Sequence, residues 1–147
     1  MNRVMGLDIG DRRVGFAFGN RMAMGSSMVV PGGFLEVRSP EDAVKQIAEL
    51  AKEEEVDAMV VGLPLIQGQD NPQSKKVRAL VEALKAKLPD MDLHFWDETL
   101  TSFDAQSLLV GAELKHSGKS KRGRVDAAAA ALILQGFLDS RRFQPGL

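Results

Sequence analysis

The sequence has no cysteine and only two histidines, His94 and His116. Disulfides and thiolate metal sites are therefore excluded, and a histidine-built zinc site lacks ligands. A metal would have to be held mainly by Asp and Glu oxygens, the donor set that suits Mg²⁺ or Mn²⁺. Long apolar runs are missing as well. No stretch approaches a membrane span, and Met1-Asn2-Arg3 leads straight into a strand pattern without signal-peptide organisation. The expectation is a cytoplasmic protein with no membrane contact. A strong excess of positive charge is also absent: the net charge is −1 and the pI is about 6.1. The chain as a whole is not a basic nucleic-acid binder.

What is present fits one ordinary globular domain. The 147 residues are enough for a real core, and 44% apolar with 27% charged is a common balance. The domain is expected over residues 1–139, with a poorly ordered tail over 140–147. No internal repeat, low-complexity tract or linker divides it.

The most informative stretch is Val4 to Phe18. An apolar run ends in Asp8, a short turn holds Gly10, Arg12 and Arg13, and a second apolar run begins at Val14. This predicts a hairpin whose first strand presents Asp8 near its end. A carboxylate there is costly unless something cationic meets it. A third, irregular edge strand is expected over 26–37, interrupted by Pro31-Gly32-Gly33.

Ser39-Pro40-Glu41-Asp42 and Asn71-Pro72 each combine a capping side chain with proline at the first helical position, so helices are expected to begin there. Between them, Val56 to Leu63 is short, β-branched and nearly continuously apolar, as a buried parallel strand reads. Leu93 to Trp96 is the next strand, with Asp97-Glu98 at its end. Phe95 and Trp96 can stack on bases, but beside an apolar run they are expected in the core. Thr101-Ser102-Phe103-Asp104 resembles a capping box before a helix over about 102–113. A last, alanine-rich helix is expected from about Arg124 to Asp139, opening with Asp126. The order β-β-β-α-β-α-β-α-α predicts an α/β fold with a mixed sheet covered by helices.

Acids thus recur at element ends: Asp8, Asp97 with Glu98, and Asp126. If the strands ending at Asp8 and Trp96 run the same way, their ends share one rim, which the last helix can also reach. Crowded carboxylates cannot all ionise without help; their pKa values rise or a cation binds. Two divalent ions about 3.5–4 Å apart would neutralise them and suit phosphodiester hydrolysis, with Asp8 the natural bridging ligand. Each acid also has a plainer role. Asp8 can satisfy turn amides, Asp97 or Glu98 can be solvated, and Asp126 can answer the positive end of its helix. Between Lys115 and Arg124 lie six basic or histidine residues and no acid. Such a run is either a solvated surface or a local phosphate-binding segment.

The chain resembles the YqgF/RuvX family over nearly its full length. The resemblance rests on Gly6-Leu7-Asp8-Ile9-Gly10 with Arg13-Val14-Gly15, on Val60-Val61-Gly62-Leu63-Pro64, on Trp96-Asp97-Glu98-Thr99-Leu100-Thr101, and on Asp126 with Ala128, Ala129 and Leu132 to Gln135. It implies a ribonuclease H-like fold, a five-stranded mixed sheet in the order 3-2-1-4-5 flanked by helices. It also implies a metal-dependent nuclease, either maturing the 5′ end of pre-16S rRNA or resolving Holliday junctions. Asp8, Glu98 and Asp126 fall on the family's metal-ligand positions and Arg13 on its basic turn position. Two departures bear on substrate affinity: Thr99 replaces an arginine common in the family, and Ile66-Gln67-Gly68 lacks an asparagine often seen there.

With that resemblance, Arg12, Arg13, Lys119, Lys121, Arg122 and Arg124 become candidate phosphate contacts, and the amides from Gln67 to Asn71 candidate sugar or base contacts. The expected partner is structured RNA or branched DNA, and the protein a monomer or homodimer. Two other classes compete. A non-catalytic nucleic-acid scaffold leaves the acids unexplained. An actin-like nucleotide-binding module shares the fold, but this chain is short for two lobes and lacks a second phosphate loop.

Overall fold

The computed structural model describes residues 3–20, 28–98 and 121–142. Its organising element is β1 (Arg3–Ile9), the middle strand of five. β1 pairs antiparallel with β2 (Arg13–Asn20), which pairs antiparallel with β3 (Val29–Glu36). On its other side β1 runs parallel to β4 (Ala58–Leu63), and β4 runs parallel to β5 (Asp92–Asp97). The order β3-β2-β1-β4-β5 is the mixed ribonuclease H-like sheet that the resemblance implies. β3 is the expected irregular edge strand, and its register shifts where Phe16 and Ala17 pass Pro31-Gly32-Gly33.

Successive strand residues point to opposite faces, and here the two faces carry different chemistry. Met5, Leu7 and Ile9 join Met59, Val61 and Leu63 on one face. They are covered by α1 (Pro40–Glu53) and α2 (Pro72–Lys87), through Ile47, Val77 and Leu84. Both helices start as their sequences dictate. The Ser39 hydroxyl accepts from the Asp42 amide at 3.0 Å. Asn71 and Ser74 form a reciprocal capping box, with Pro72 next in line.

The opposite face carries Val4, Gly6, Asp8, Gly15, Ala17, Ala58, Val60 and Gly62, small residues for the most part. It receives α3 (Lys121–Arg142), whose Ile133, Leu134, Phe137 and Leu138 pack on Val4, Ala58 and Val60. Ala130 and Ala131 lie on Ala17. A fully buried side chain such as Leu134 contributes about 1.5–3 kcal/mol here. Glycine usually weakens a strand interior, but here it lets another backbone in. A Cβ on Gly6 would lie 2.7 Å from the Ala130 carbonyl oxygen, and one on Gly15 only 2.1 Å from that of Asp126.

Three expectations need correction. α3 begins at Lys121, not near Arg124, so Asp126 sits in its second turn and is not an acid of the first. Lysine and arginine are good helix formers, and the helix extends back through them as far as Lys121. α3 also continues to Arg142, into the stretch expected to be tail. Phe95 is not core: β5 is an edge strand, and Phe95 is 37% exposed on it, under the Arg78 guanidinium. Trp96 points the other way and meets Phe137 edge-on. The helix expected over 102–113 lies outside the described residues, among which no helix is long and apolar enough to cross a membrane.

Candidate active site

Asp8 is the last β1 side chain on the α3 face, since it alternates with Gly6 and Val4. Trp96 shares that face, and Glu98, two residues on, leaves β5 in the same direction. To reach Asp8 it must cross the end of β4, and it does so over Gly62. A Cβ built on Gly62 would lie 2.8 Å from Glu98 Oε1 and 2.9 Å from its Cγ. The missing side chain is the space that the Glu98 carboxyl occupies.

The two acids share a hydrogen bond, protonated Asp8 donating to Glu98. Burial, then the charge of Glu98, this hydrogen bond and the charge of Asp126 push Asp8 up from 3.8 to about 8. Glu98 is also raised, by burial and by neighbouring Asp97, while the bond from Asp8 works the other way. At neutral pH the pair therefore keeps a proton where two ordinary carboxylic acids would have lost both.

Asp126 approaches from α3, close enough for its charge to act on Asp8. Its Oδ2 accepts from Arg13 Nε at 2.7 Å, in a pair with side chains 33% and 22% exposed. The structure thus brings Asp8 and Glu98 together and directs Asp126 partly elsewhere. Among the described residues, no three His, Asp or Glu side chains stand as a ready metal cage.

The candidate nucleic-acid contacts divide in the same way. Arg12 is exposed on the turn after β1, whereas Arg13 opens β2 and turns to Asp126. Lys121, Arg122 and Arg124 fall in the opening of α3, and Lys119 lies outside the described residues. The loop after β4 contains a tight turn in which Ile66 and Gln69 exchange backbone hydrogen bonds of 3.0 and 2.9 Å. Gln67 and Gly68 at its tip have φ of 52° and 75°, the two left-handed positions such a turn demands. Gln67 is exposed there, but the Asn71 amide is not available: it caps α2 and donates to the Pro64 carbonyl at 2.6 Å.

Comparison with known proteins accords with this geometry. The family model "RuvX: Holliday junction resolvase" matches residues 2–140.

The chain belongs to the RuvX family.

A protein of Pelotomaculum thermopropionicum named "Putative pre-16S rRNA nuclease" is 36% identical over 143 residues, covering 95% of this chain and 88% of the relative. A Roseiflexus protein of the same name is 38% identical, covering 95% and 96%. Among solved structures, Thermus thermophilus RuvC in complex with a Holliday junction substrate superposes with a TM-score of 0.59 at 17% identity, covering 97% of each chain. The fowlpox virus Holliday junction resolvase gives 0.60 at 10% identity, covering 95% and 99%. At those identities the likeness is one of fold.

Sequence motifs drew attention to Gly62 and Gly15 without showing what they do. Gly62 makes room for a catalytic candidate, and Gly15 seats the backbone of another. Gly62→Ala is expected to keep the fold, because the Cβ meets only movable atoms, Ile133 Cδ1 at 2.4 Å and the Glu98 side chain. It should lower nuclease turnover about a hundredfold by moving Glu98 off Asp8. Circular dichroism and a cleavage assay on the same sample check both halves.

Proposed function

We propose that this chain is a metal-dependent nuclease that hydrolyses phosphodiester bonds, with the 5′ end of pre-16S rRNA as its substrate. The observation that carries the reading is the Asp8–Glu98 pair, two carboxyls sharing one proton beneath the charge of Asp126. Such a pair is short of positive charge. A divalent cation, Mg²⁺ or Mn²⁺, supplies more of it than one proton does, and the oxygen donors suit either ion. Asp8, Glu98 and Asp126 would hold it, Asp8 centrally as the residue affected by both of the others.

When bound, the ions supply Lewis acidity toward the phosphate and a nucleophilic water at neutral pH; in a two-ion arrangement they clamp both the attacking and the leaving oxygens. The chain's own residues do the rest. Asp8 and Glu98 give up their shared proton on binding, so the site loads more readily as pH rises toward 8. Arg12 stands exposed at the rim to meet a phosphate, and Lys121, Arg122 and Arg124 at the start of α3, with Lys119 just before them in sequence, take the same role. The names of the curated relatives support pre-16S rRNA as the substrate. The family description and the RuvC likeness favour a second substrate, a four-way DNA junction.

One experiment separates these. Structured RNA spanning the 16S 5′ end, single-stranded RNA and a four-way DNA junction are incubated with Mn²⁺, Mg²⁺ or chelator. Cleavage of the structured RNA with metal and none with chelator is the expected result. Cleavage of the junction alone transfers the assignment to resolvase. RNA binding without cleavage under any metal overturns the nuclease reading in favour of a scaffold.

A further inference from the structure

We infer that Arg13 is an exchangeable counterion: it holds the Asp126 carboxylate in the metal-free protein and releases it when a divalent cation enters beside Asp8 and Glu98. The inference rests on the nuclease reading and adds to it a positioning residue outside the metal ligands.

Three observations carry it. The first is the contact itself, Arg13 Nε to Asp126 Oδ2 at 2.7 Å, a charge-assisted hydrogen bond that joins β2 to α3. The second is placement: Asp8 pairs with Gly15 across the β1–β2 ladder and Gly15 lies against the Asp126 backbone, yet no three carboxylates form a cage among the described residues. Asp126 is near the pair but occupied. The third is that both backbones are fixed. Two residues after Arg13 on the same strand face, Gly15 lies against the Asp126 peptide, so tightly that a Cβ would fall 2.3 Å from the Asp126 carbonyl carbon. With the helix seated there, Asp126 can turn toward Asp8 and Glu98 only by rotating its side chain, which leaves Arg13 behind.

The charges make the exchange favourable in one direction. Without metal, the guanidinium is the cation that Asp126 meets. A divalent ion beside Asp8 and Glu98 would offer Asp126 a second partner of higher charge than the guanidinium. Arg13 is then an unneutralised guanidinium at the rim where a phosphodiester must arrive, with a planar fork suited to phosphate. By linkage, whatever draws Arg13 outward strengthens metal binding by the same factor. The released Arg13 therefore couples metal loading to substrate binding.

The test uses the full chain, wild type and two Arg13 variants, with Mg²⁺ or Mn²⁺ and no nucleic acid. In the metal-free protein the Arg13 Nε–H should give a ¹⁵N–¹H resonance characteristic of a carboxylate-bound guanidinium, assigned by its loss in Arg13→Lys. Mg²⁺ titration should move it to the position of a solvated arginine. Arg13→Gln, which lacks the competing charge, should bind Mn²⁺ about tenfold more tightly in calorimetry. A resonance that stays in place at Mg²⁺ saturation overturns the exchange, even if Arg13→Gln fails to fold. Weaker Mn²⁺ binding by a folded Arg13→Gln also overturns it, because Arg13 would then be holding Asp126 toward the metal. If the wild type binds neither ion, the nuclease reading fails along with the inference. If it binds and Arg13 does not respond, only the inference fails.

Discussion

Asp8→Asn is expected to abolish metal-dependent cleavage and, in chelator at pH 8, to melt at a higher temperature than the wild type. The two effects have one cause. Asp8 is pushed up to about 8 in the folded protein against an ordinary 3.8. The native state thus binds its proton more tightly than the unfolded chain does. That contribution to stability is complete below pH 3.8, shrinks as pH rises, and is gone once pH passes about 8. Asparagine has the same shape and no charge to desolvate, so it avoids the loss. The gain should be about 1–3 kcal/mol at pH 8, and a kilocalorie moves the melting point of a chain this size by about 2–4 °C. The gap should narrow toward pH 4. Activity moves the other way. Removing the proposed central ligand would forfeit several kcal/mol of charge stabilisation in the transition state, at least about a thousandfold in rate. Melting curves from pH 4 to 9 and a cleavage assay check the pair of outcomes. A variant that keeps a tenth of wild-type activity, or that melts well below wild type at pH 8, would refute the assignment of Asp8.

Gly15→Ala should have the largest effect on the fold. Its Cβ would fall 2.1 Å from the Asp126 carbonyl oxygen and 2.3 Å from the carbonyl carbon. These are backbone atoms of a helix and cannot rotate aside, unlike the side-chain atoms over Gly62. α3 must shift or tilt, which loosens Ala130 and Ala131 from Ala17. Overpacking of this kind costs about 1–3 kcal/mol where neighbours can yield, and more where they cannot. A loss of at least about 3 kcal/mol in urea unfolding is expected, with activity falling as Asp126 moves. A stability within 0.5 kcal/mol of wild type, the ordinary scatter of surface changes, would mean that the helix does not rest on Gly15.

Much of the fold was legible because its signals are local. The alternation in β1, the serine and asparagine caps followed by proline, and the continuous apolar run of β4 each depend on neighbours within one element. The approach of Asp8 and Glu98 was legible too, since both close strands that run in the same direction. What was not legible depends on partners distant in sequence. The start of α3 reads as Arg124 because the basic run before it looks like a solvated loop, and Phe95 reads as core until β5 proves to be an edge. The roles of Gly15 and Gly62 depend on atoms of Asp126 and Glu98 that reach them only after folding. Arg13 reads as a phosphate contact because the sequence cannot reveal that Asp126 is the nearer anion.

The small-residue face of the sheet has a consequence for the newly made chain. β1, β2 and β4 are synthesised early, but α3, which covers their glycines, comes last and brings Asp126 with it. Until that helix leaves the ribosome and docks, Asp8 has neither its full set of partners nor its cover. An unfinished copy therefore lacks Asp126 beside Asp8, and on the proposed reading it would not cut nucleic acid while it is being translated.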